Sequence, residues 1–336
     1  MSQPAPVAPS PGEGAPGTGR RAAVRSAPVG LPGLPERVTI YEVGPRDGLQ
    51  NEPGLVSVET KLELIERLVA AGLPVVEVTS LARPEAVPQL ADAEELISRL
   101  PSRPGVRQPV LVPNLRGFER AVVLGVREVS LPASATESFA RANLGRSRRE
   151  SLVAFAQVAR RAAEREMAVR GYISMCFGDP WEGEVDPDAV VAVARELLAM
   201  GCREISLGDT IGVATPGAVR RLIEVLAGAG VAPSHLAVHF HDTYGQALAN
   251  TLEALRCGVT TVDASAGGLG GCPFAKSASG NLATEDLLWA LDGLGVWTGV
   301  DLVALAQTSL WLAGQLGRPS PSRTVQALAR GLGGRA

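Results

Sequence analysis

Histidine, lysine, cysteine and aromatic residues are all scarce in this chain of 336 residues. It contains three histidines and four cysteines, and its two lysines are Lys61 and Lys276. The formal net charge is −3, so the chain has no excess of basic residues that would predict a nucleic-acid partner. No apolar run approaches the roughly 18 residues that a membrane helix needs, so we expect no membrane partner.

The cysteines are widely spaced and form no CxxC pair. They are Cys176, Cys202, Cys257 and Cys272. This spacing favours a reduced, cytoplasmic protein over a secreted protein held by disulfide bonds. Because 46% of the residues are hydrophobic, a chain of this length can bury a large core.

Residues 1–36 are rich in proline, alanine and glycine and show no apolar periodicity. We therefore expect a disordered N-terminal tail. Arg20, Arg21 and Arg25 would suit an organelle transit peptide, but the dense prolines and glycines oppose the amphipathic helix that such a peptide needs.

From Arg37 onward, short apolar runs typical of buried strands alternate with helical segments. Ser57 precedes the first helical segment, Ser147 and Glu150 fit a capping box, and Asp186 precedes a proline at a helix start. Eight such units over about 260 residues predict an α/β fold, a closed (β/α)8 TIM barrel. A doubly wound open sheet is the alternative.

We assign the barrel domain to residues 37–318. A further helix is expected over about 300–316, on the outside of the barrel or over one mouth. Residues 319–336 are assigned as a C-terminal tail.

Two of the three histidines lie close together at the end of the seventh predicted strand. His239 and His241 are two residues apart, so both point to one face of a strand, while Phe240 points to the other. Two converging neutral imidazoles are a common start for a divalent metal site. A hydrogen-bonded histidine pair is the simpler alternative. His235 lies at the start of the same strand and is expected on the opposite face of the barrel.

A TIM barrel carries its functional groups after the carboxyl ends of its strands. Polar residues of this chain fall at those positions on six strands. They are Arg46, Asp47 and Gln50 after strand one, Glu77 and Ser80 on strand two, Asn114 after strand three, Thr210 after strand six, the two histidines on strand seven, and the glycine-rich loop with Cys272 after strand eight.

Asp47, His239, His241 and Asn281 complete a ligand set of oxygen and nitrogen atoms. Without sulfur, this set suits Mg or Mn better than structural zinc. Taken alone, the Arg-Asp-Gly sequence around Asp47 would be ordinary turn chemistry. The convergence of the four residues on one face of the barrel favours the metal site.

The loop from Gly267 to Lys276 also approaches a phosphate-binding loop, but Ala275 replaces its second glycine and Pro273 lies within it. Cys272 is either a small buried apolar group or a thiol exposed on a flexible loop. In the second case it could pass a proton at the site.

Five segments resemble hydroxymethylglutaryl-CoA lyases. They are residues 43–52 (VGPRDGLQNE), 205–212 (ISLGDTIG), 237–250 (AVHFHDTYGQALAN), 268–273 (GLGGCP) and 279–286 (SGNLATED). The resemblance extends over nearly the whole predicted barrel. It implies a lyase, dependent on a divalent cation, that splits 3-hydroxy-3-methylglutaryl-CoA into acetyl-CoA and acetoacetate.

The resemblance also implies residue roles. Asp47, His239, His241 and Asn281 match the metal ligands of the family, Arg46 its catalytic arginine, Glu77 a carboxylate of the site and Cys272 its loop cysteine. We further expect five residues to contact substrate: Arg46, Gln50, Ser80, Asn114 and Thr210. We also expect the protein to form a homo-oligomer, specifically a dimer.

Retro-Claisen cleavage requires residues of these types. The cation would hold the hydroxyl and a carboxylate oxygen of the substrate. Asp47 or His239 would accept the hydroxyl proton, Arg46 would stabilise the enolate oxygen, and Cys272 would protonate the departing carbon.

Four alternatives remain. A lyase acting on a related 3-hydroxy-3-substituted glutaryl-CoA, or a Claisen-type condensing enzyme, would share this barrel and the His-x-His strand. Condensing enzymes are less favoured because they usually carry a sizeable C-terminal extension. An aldolase acting on short 2-oxo acids is less favoured because it would not need the Gly-Gly-Cys loop. A barrel without activity would not need the complete ligand set.

Overall fold

The computed structural model describes residues 26–271 and 280–332. Its strands are β1 Thr39–Glu42, β2 Val75–Val76, β3 Thr79–Ser80, β4 Val110–Leu111, β5 Glu128–Ser134, β6 Ala168–Ser174, β7 Glu204–Asp209, β8 Leu236–Phe240 and β9 Thr261–Ala264. Its α-helices are α1 Val58–Ala70, α2 Ala93–Arg99, α3 Leu115–Val123, α4 Glu137–Leu144, α5 Arg148–Ala163, α6 Pro187–Ala199, α7 Pro216–Gly228, α8 Ala247–Arg256, α9 Thr284–Gly293, α10 Leu302–Leu316 and α11 Arg323–Leu332.

All strand pairs are parallel, and the sheet closes on itself. Its order is β2-β1-β9-β8-β7-β6-β5-β4-β3. β2 and β3 are two parts of one strand, because the Glu77 N–H donates to Glu42 O at 2.9 Å on one side while the Val78 N–H donates to Pro109 O at 3.0 Å on the other. Eight strands alternate with helices around this closed sheet, which confirms the predicted (β/α)8 barrel.

Local sequence signals begin the helices where they were predicted. The Ser57 hydroxyl accepts from Thr60 N–H at the start of α1, and Ser147 and Glu150 form a complete capping box on α5. Asp186 caps α6, whose first residue is Pro187. Each cap satisfies backbone donors that the helix leaves free and stabilises it by about 1 kcal/mol.

The core lies between the sheet and the surrounding helices. Leu64 and Leu68 of α1, Phe118 of α3, Phe155 of α5 and Leu197 of α6 are at most 1% exposed. Burial of each such side chain contributes about 1.5–3 kcal/mol. This packing fixes the barrel as a rigid support for groups at its rim. No helix in the described ranges is long and apolar enough to span a membrane.

Two predicted features differ in the structure. The helix expected over about 84–100 is only α2, preceded by a short 3₁₀ turn at Pro88–Leu90, because prolines at 84 and 88 interrupt the helical hydrogen bonds. Helix α4, which follows β5, was not predicted at all. It ends at Gly145, whose φ of 65° lies in the left-handed region.

Both ends of the described chain pack on the barrel. Residues 26–36 form no helix or strand, yet Val29 N–H donates to Gly293 O and Trp297 N–H donates to Glu36 O, both at 2.9 Å. The segment assigned as a C-terminal tail instead contains α11, which packs against α9 and α10 through the fully buried Val325. Residues 1–25 lie outside the described part of the chain.

Candidate metal and catalytic site

Asp47, His239 and His241 come together at the carboxyl end of the barrel. One potential ligand atom from each lies within 4.8 Å of the others. Asp47 sits in a single π-helical turn, Gly44–Gly48, that follows β1 directly, and His239 is on β8. Single π turns occur frequently at functional sites. Phe240 points away from the histidines and packs on Phe177, with ring centroids 6.1 Å apart.

Asn281 is held next to this cluster. It forms a β-bridge with His241, and its Nδ2 donates to Asp47 Oδ2 and to Leu269 O, both at 2.9 Å. The Asn281 Oδ1 is buried and has no hydrogen-bond partner among the described residues, and the same holds for His241 Nδ1. Buried acceptors rarely stay unpaired. A carboxylate, two imidazoles and a free amide oxygen are a donor set that fits a hard divalent cation.

Burial and neighbouring charges keep Asp47 and His241 in protonation states that can bind a metal. Burial alone would raise the pKa of Asp47, but Arg46 and the two histidines lower it to about 2. Burial and the neighbouring His239 lower the pKa of His241 to about 4. An ionised Asp47 and a neutral His241 are the forms that coordinate metal.

Arg46 is clamped beside the ligand cluster. Its Nε donates to Glu77 Oε2 at 2.6 Å and its Nη1 donates to Asp47 Oδ1 at 2.5 Å. Tyr172 supports the pair, because its hydroxyl donates to Glu77 Oε2 at 3.1 Å and its ring lies 5.2 Å from the Arg46 guanidinium carbon. Burial opposes ionisation of Arg46, yet Glu77 and Asp47 raise its pKa well above the usual value. The site therefore holds a permanent cation in a fixed position.

A buried polar network under the site was not predicted from the sequence. Arg170 of β6 forms two hydrogen bonds to Asp263 of β9 and one to Glu204 of β7. Asp263 also lies 3.3 Å from His239 Nδ1. Burial favours neutral Asp263, but Arg170 and His239 lower its pKa. Its sequence signal was the alternation along β6, where Arg170 and Tyr172 occupy the positions that face into the barrel.

The expected substrate contacts lie at or just after strand ends, but three of them serve local structure. The Asn114 side chain caps α3 by accepting from Gly117 N–H at 3.0 Å. Ser80 Oγ accepts from Ala82 N–H at 3.2 Å, and Thr210 Oγ1 accepts from Met175 N–H at 2.9 Å. Gln50 is half-buried just after the π turn. A role of these four residues in substrate binding stays a prediction.

The glycine-rich segment begins in contact with Asn281. At Gly270, with φ of 121°, a Cβ would collide with Asn281 Nδ2, so only glycine permits this approach. Asn51, from the loop after β1, donates through Nδ2 to Gly271 O at 2.8 Å. Cys272 and Lys276 lie outside the described residues, so the predictions about this thiol and about a phosphate-binding loop stay predictions.

Two buried carboxyl groups bind the backbone at the start of the glycine-rich segment. Glu42 accepts from the N–H groups of Gly44 and Ala266, each at 2.8 Å, and Glu285 accepts from Gly267 N–H and from the Ser309 hydroxyl. Burial raises the pKa of Glu42 to about 7 and that of Glu285 to about 8. Both groups therefore hold protons more tightly in the folded than in the unfolded chain.

These raised pKa values predict that the stability of the protein falls with rising pH. The contribution is complete below the unfolded value of about 4.3 and is lost as pH rises through about 7 and 8. We expect the melting temperature of wild type to drop between about pH 6 and 8 and to level off above that range. Glu285→Gln, which cannot ionise, should show a shallower drop in the same thermal scans. Parallel curves for the two proteins would contradict the assignment.

Comparisons with known proteins agree with this geometry. The HMGL-like family model matches residues 37–311. The chain belongs to the HMGL-like family. The chain is 53% identical over 298 residues to the mitochondrial hydroxymethylglutaryl-CoA lyase of Arabidopsis thaliana, covering 89% of this chain and 64% of that protein. It is 50% identical to the enzyme of the same name from Rattus norvegicus, covering 88% of this chain and 91% of the relative.

Solved structures of the HMGL-like family share the fold. Hydroxymethylglutaryl-CoA lyase from Pseudomonas aeruginosa superposes with a TM-score of 0.86 at 49% identity, covering 89% of this chain and 99% of that one. An HMG-CoA lyase from Acinetobacter baumannii, in complex with coenzyme A and 3-methylmalate, gives 0.83 at 36% identity, covering 87% and 95%. These structures confirm the predicted barrel and the predicted family.

Proposed function

We propose that this protein is a lyase, dependent on a divalent cation, that cleaves 3-hydroxy-3-methylglutaryl-CoA to acetyl-CoA and acetoacetate. The observation that carries the proposal is the convergence of Asp47, His239 and His241 next to the clamped Arg46. The relatives named hydroxymethylglutaryl-CoA lyase support an acyl-CoA substrate, and so does the similar structure in complex with coenzyme A.

Asp47, His239, His241 and Asn281 would hold the cation, Mg or Mn. When bound, it would lower the pKa of the substrate hydroxyl and fix the orientation of the substrate. Of the two candidate bases, Asp47 is favoured. A His239 that ligates through Nε2 has its Nδ1 3.3 Å from Asp263, which leaves no ring nitrogen free to accept a proton.

Arg46 would stabilise the negative charge that develops on the thioester oxygen as the enolate forms. Glu77 fixes the guanidinium by the 2.6 Å hydrogen bond to Nε and is itself 0% exposed. Arg46 is therefore oriented before substrate binds, so little reorganisation would be needed during the reaction. Cys272 would return a proton to the carbon that becomes the methyl group of acetyl-CoA.

The test is mass-spectrometric analysis of products from a panel of 3-hydroxyacyl-CoA esters, with Mg or Mn present. We expect acetyl-CoA and acetoacetate from the 3-methyl compound at the highest rate. Preference for another 3-substituted glutaryl-CoA would change the substrate but keep the reaction. Condensation of acetyl-CoA with a 2-oxo acid, without cleavage of any ester, would contradict the proposal.

We further propose a cytoplasmic location, a homodimer and a role in leucine degradation. The cysteine pattern supports the first of these, and the proposed reaction the last.

A further inference from the structure

Asp263 lies beneath the proposed metal site, where residues of β6, β7 and β8 contact its side chain. It pairs with His239 across β8 and β9, and its side chain is 0% exposed. Arg170 Nη2 donates to Oδ1 at 2.6 Å, and Ser206 Oγ donates to Oδ2 at 2.8 Å. The carboxylate therefore has little freedom to move.

His239 presents its two ring nitrogens to different groups. Nε2 is 3.9 Å from Asp47 Oδ2, on the side of the proposed cation, while Nδ1 is 3.3 Å from Asp263 Oδ2. Nδ1 is buried, and at this distance it has no well-formed hydrogen bond among the described residues. A buried N–H that stays unpaired is unfavourable, so a small rotation of the ring towards Asp263 would be favourable.

We propose that Asp263 is a positioning residue for His239. It accepts the proton on Nδ1 and so fixes the tautomer in which Nε2 carries the lone pair that binds the cation. This inference rests on the proposed function, since it takes His239 to be a metal ligand. A carboxylate behind a ligating imidazole fixes the orientation of the ring and raises the basicity of the ligand.

Arg170 adds a reason why the carboxylate stays available to His239. Its guanidinium is 1% exposed and lies between the rings of Tyr41 and Tyr172, 3.9 and 4.7 Å from their centroids. Its Nε donates to Glu204 Oε1 at 2.7 Å. The guanidinium thus holds Asp263 in register without contacting the metal ligands itself.

The first test measures Mn²⁺ affinity by isothermal titration of the chelator-treated full chain. Asp263→Asn should weaken binding by about 10- to 100-fold. Glu204→Gln is the matched control, because it also removes a carboxylate partner of Arg170 but leaves Asp263 and its contact with His239 in place. Its affinity should equal that of wild type. Equal affinities for Asp263→Asn and wild type would overturn the inference.

The second test reads the tautomer directly, without metal or substrate. The chain has only three histidines, so ¹⁵N spectra of histidine-labelled protein can be assigned with single His→Gln variants. We expect the His239 proton on Nδ1 in wild type, and loss of that preference in Asp263→Asn. A wild-type proton on Nε2 would contradict the inference.

These measurements separate the inference from the proposed function. If wild type binds Mn²⁺ as expected but cleaves no acyl-CoA, the proposed function fails while the role of Asp263 is still decided. If Asp263→Asn does not fold because Arg170 loses the charge of its buried carboxylate partner, Arg170→Gln with Asp263→Asn removes the buried cation as well. That double variant should bind Mn²⁺ as weakly as expected for the single one, and wild-type affinity would overturn the inference.

Discussion

Replacing Arg46 with glutamine is expected to lower kcat by about 100- to 1,000-fold. Loss of one fixed donor to a developing oxyanion has an effect of this size. Arg46 is held by Glu77 and Asp47 before substrate arrives, so its contribution should appear mainly in the transition state. Steady-state kinetics with 3-hydroxy-3-methylglutaryl-CoA would separate kcat from KM. A change in KM alone would refute this role.

The control for Arg46 concerns the charge that the substitution leaves behind. Glu77 is completely buried, so Arg46→Gln strands an unpaired carboxylate and could destabilise the fold. Arg46→Gln with Glu77→Gln removes both charges. If the two side chains act as one unit, the double variant should be no slower than Arg46→Gln, while its melting temperature should recover.

Replacing Cys272 with alanine is expected to lower kcat by about 100- to 10,000-fold, the usual contribution of a general acid. The variant should fold and bind Mn²⁺ as wild type does, because Cys272 is not among the proposed ligands. The reason for the loss is that the nascent carbanion would have no positioned thiol to protonate it. Wild-type turnover in Cys272→Ala would show that the role implied by the family resemblance does not hold here.

The other cysteines provide the controls for Cys272. Burial raises the pKa of Cys176 strongly and that of Cys202 to about 12, so neither forms a reactive thiolate near neutral pH. Cys257 is partly exposed at the end of α8. Cys257→Ala should keep wild-type kcat. Alkylation should inactivate wild type. It should not change the residual rate of Cys272→Ala, because that variant lacks the proposed thiol.

The sequence predicted the barrel because period and caps agreed along most of the chain. Ser57, Ser147 and Asp186 begin helices where expected, and the short apolar runs form the strands. The position of His239 and His241 on one face followed from the two-residue period of a strand. These are local properties, so they can be read without knowledge of the packing.

The polar network could not be predicted in the same way. Arg170 and Asp263 are 93 positions apart, and only the closed sheet brings them together. Their side chains would be unfavourable in a core without each other, so the sequence alone made them look like isolated charges in strands. The tail assignment after residue 318 missed α11 because its burial depends on contacts with α9 and α10. Long-range contacts, rather than local propensity, decide both features.

The most direct measurement of the central claim is acetoacetate production by chelator-treated protein whose metal content has been verified by elemental analysis. Asp47, His239, His241 and Asn281 form the only proposed site for the cation, so its removal should abolish turnover of 3-hydroxy-3-methylglutaryl-CoA. Addition of Mg or Mn should restore it with a saturable dependence on metal concentration. Full turnover by the verified metal-free protein would contradict the account.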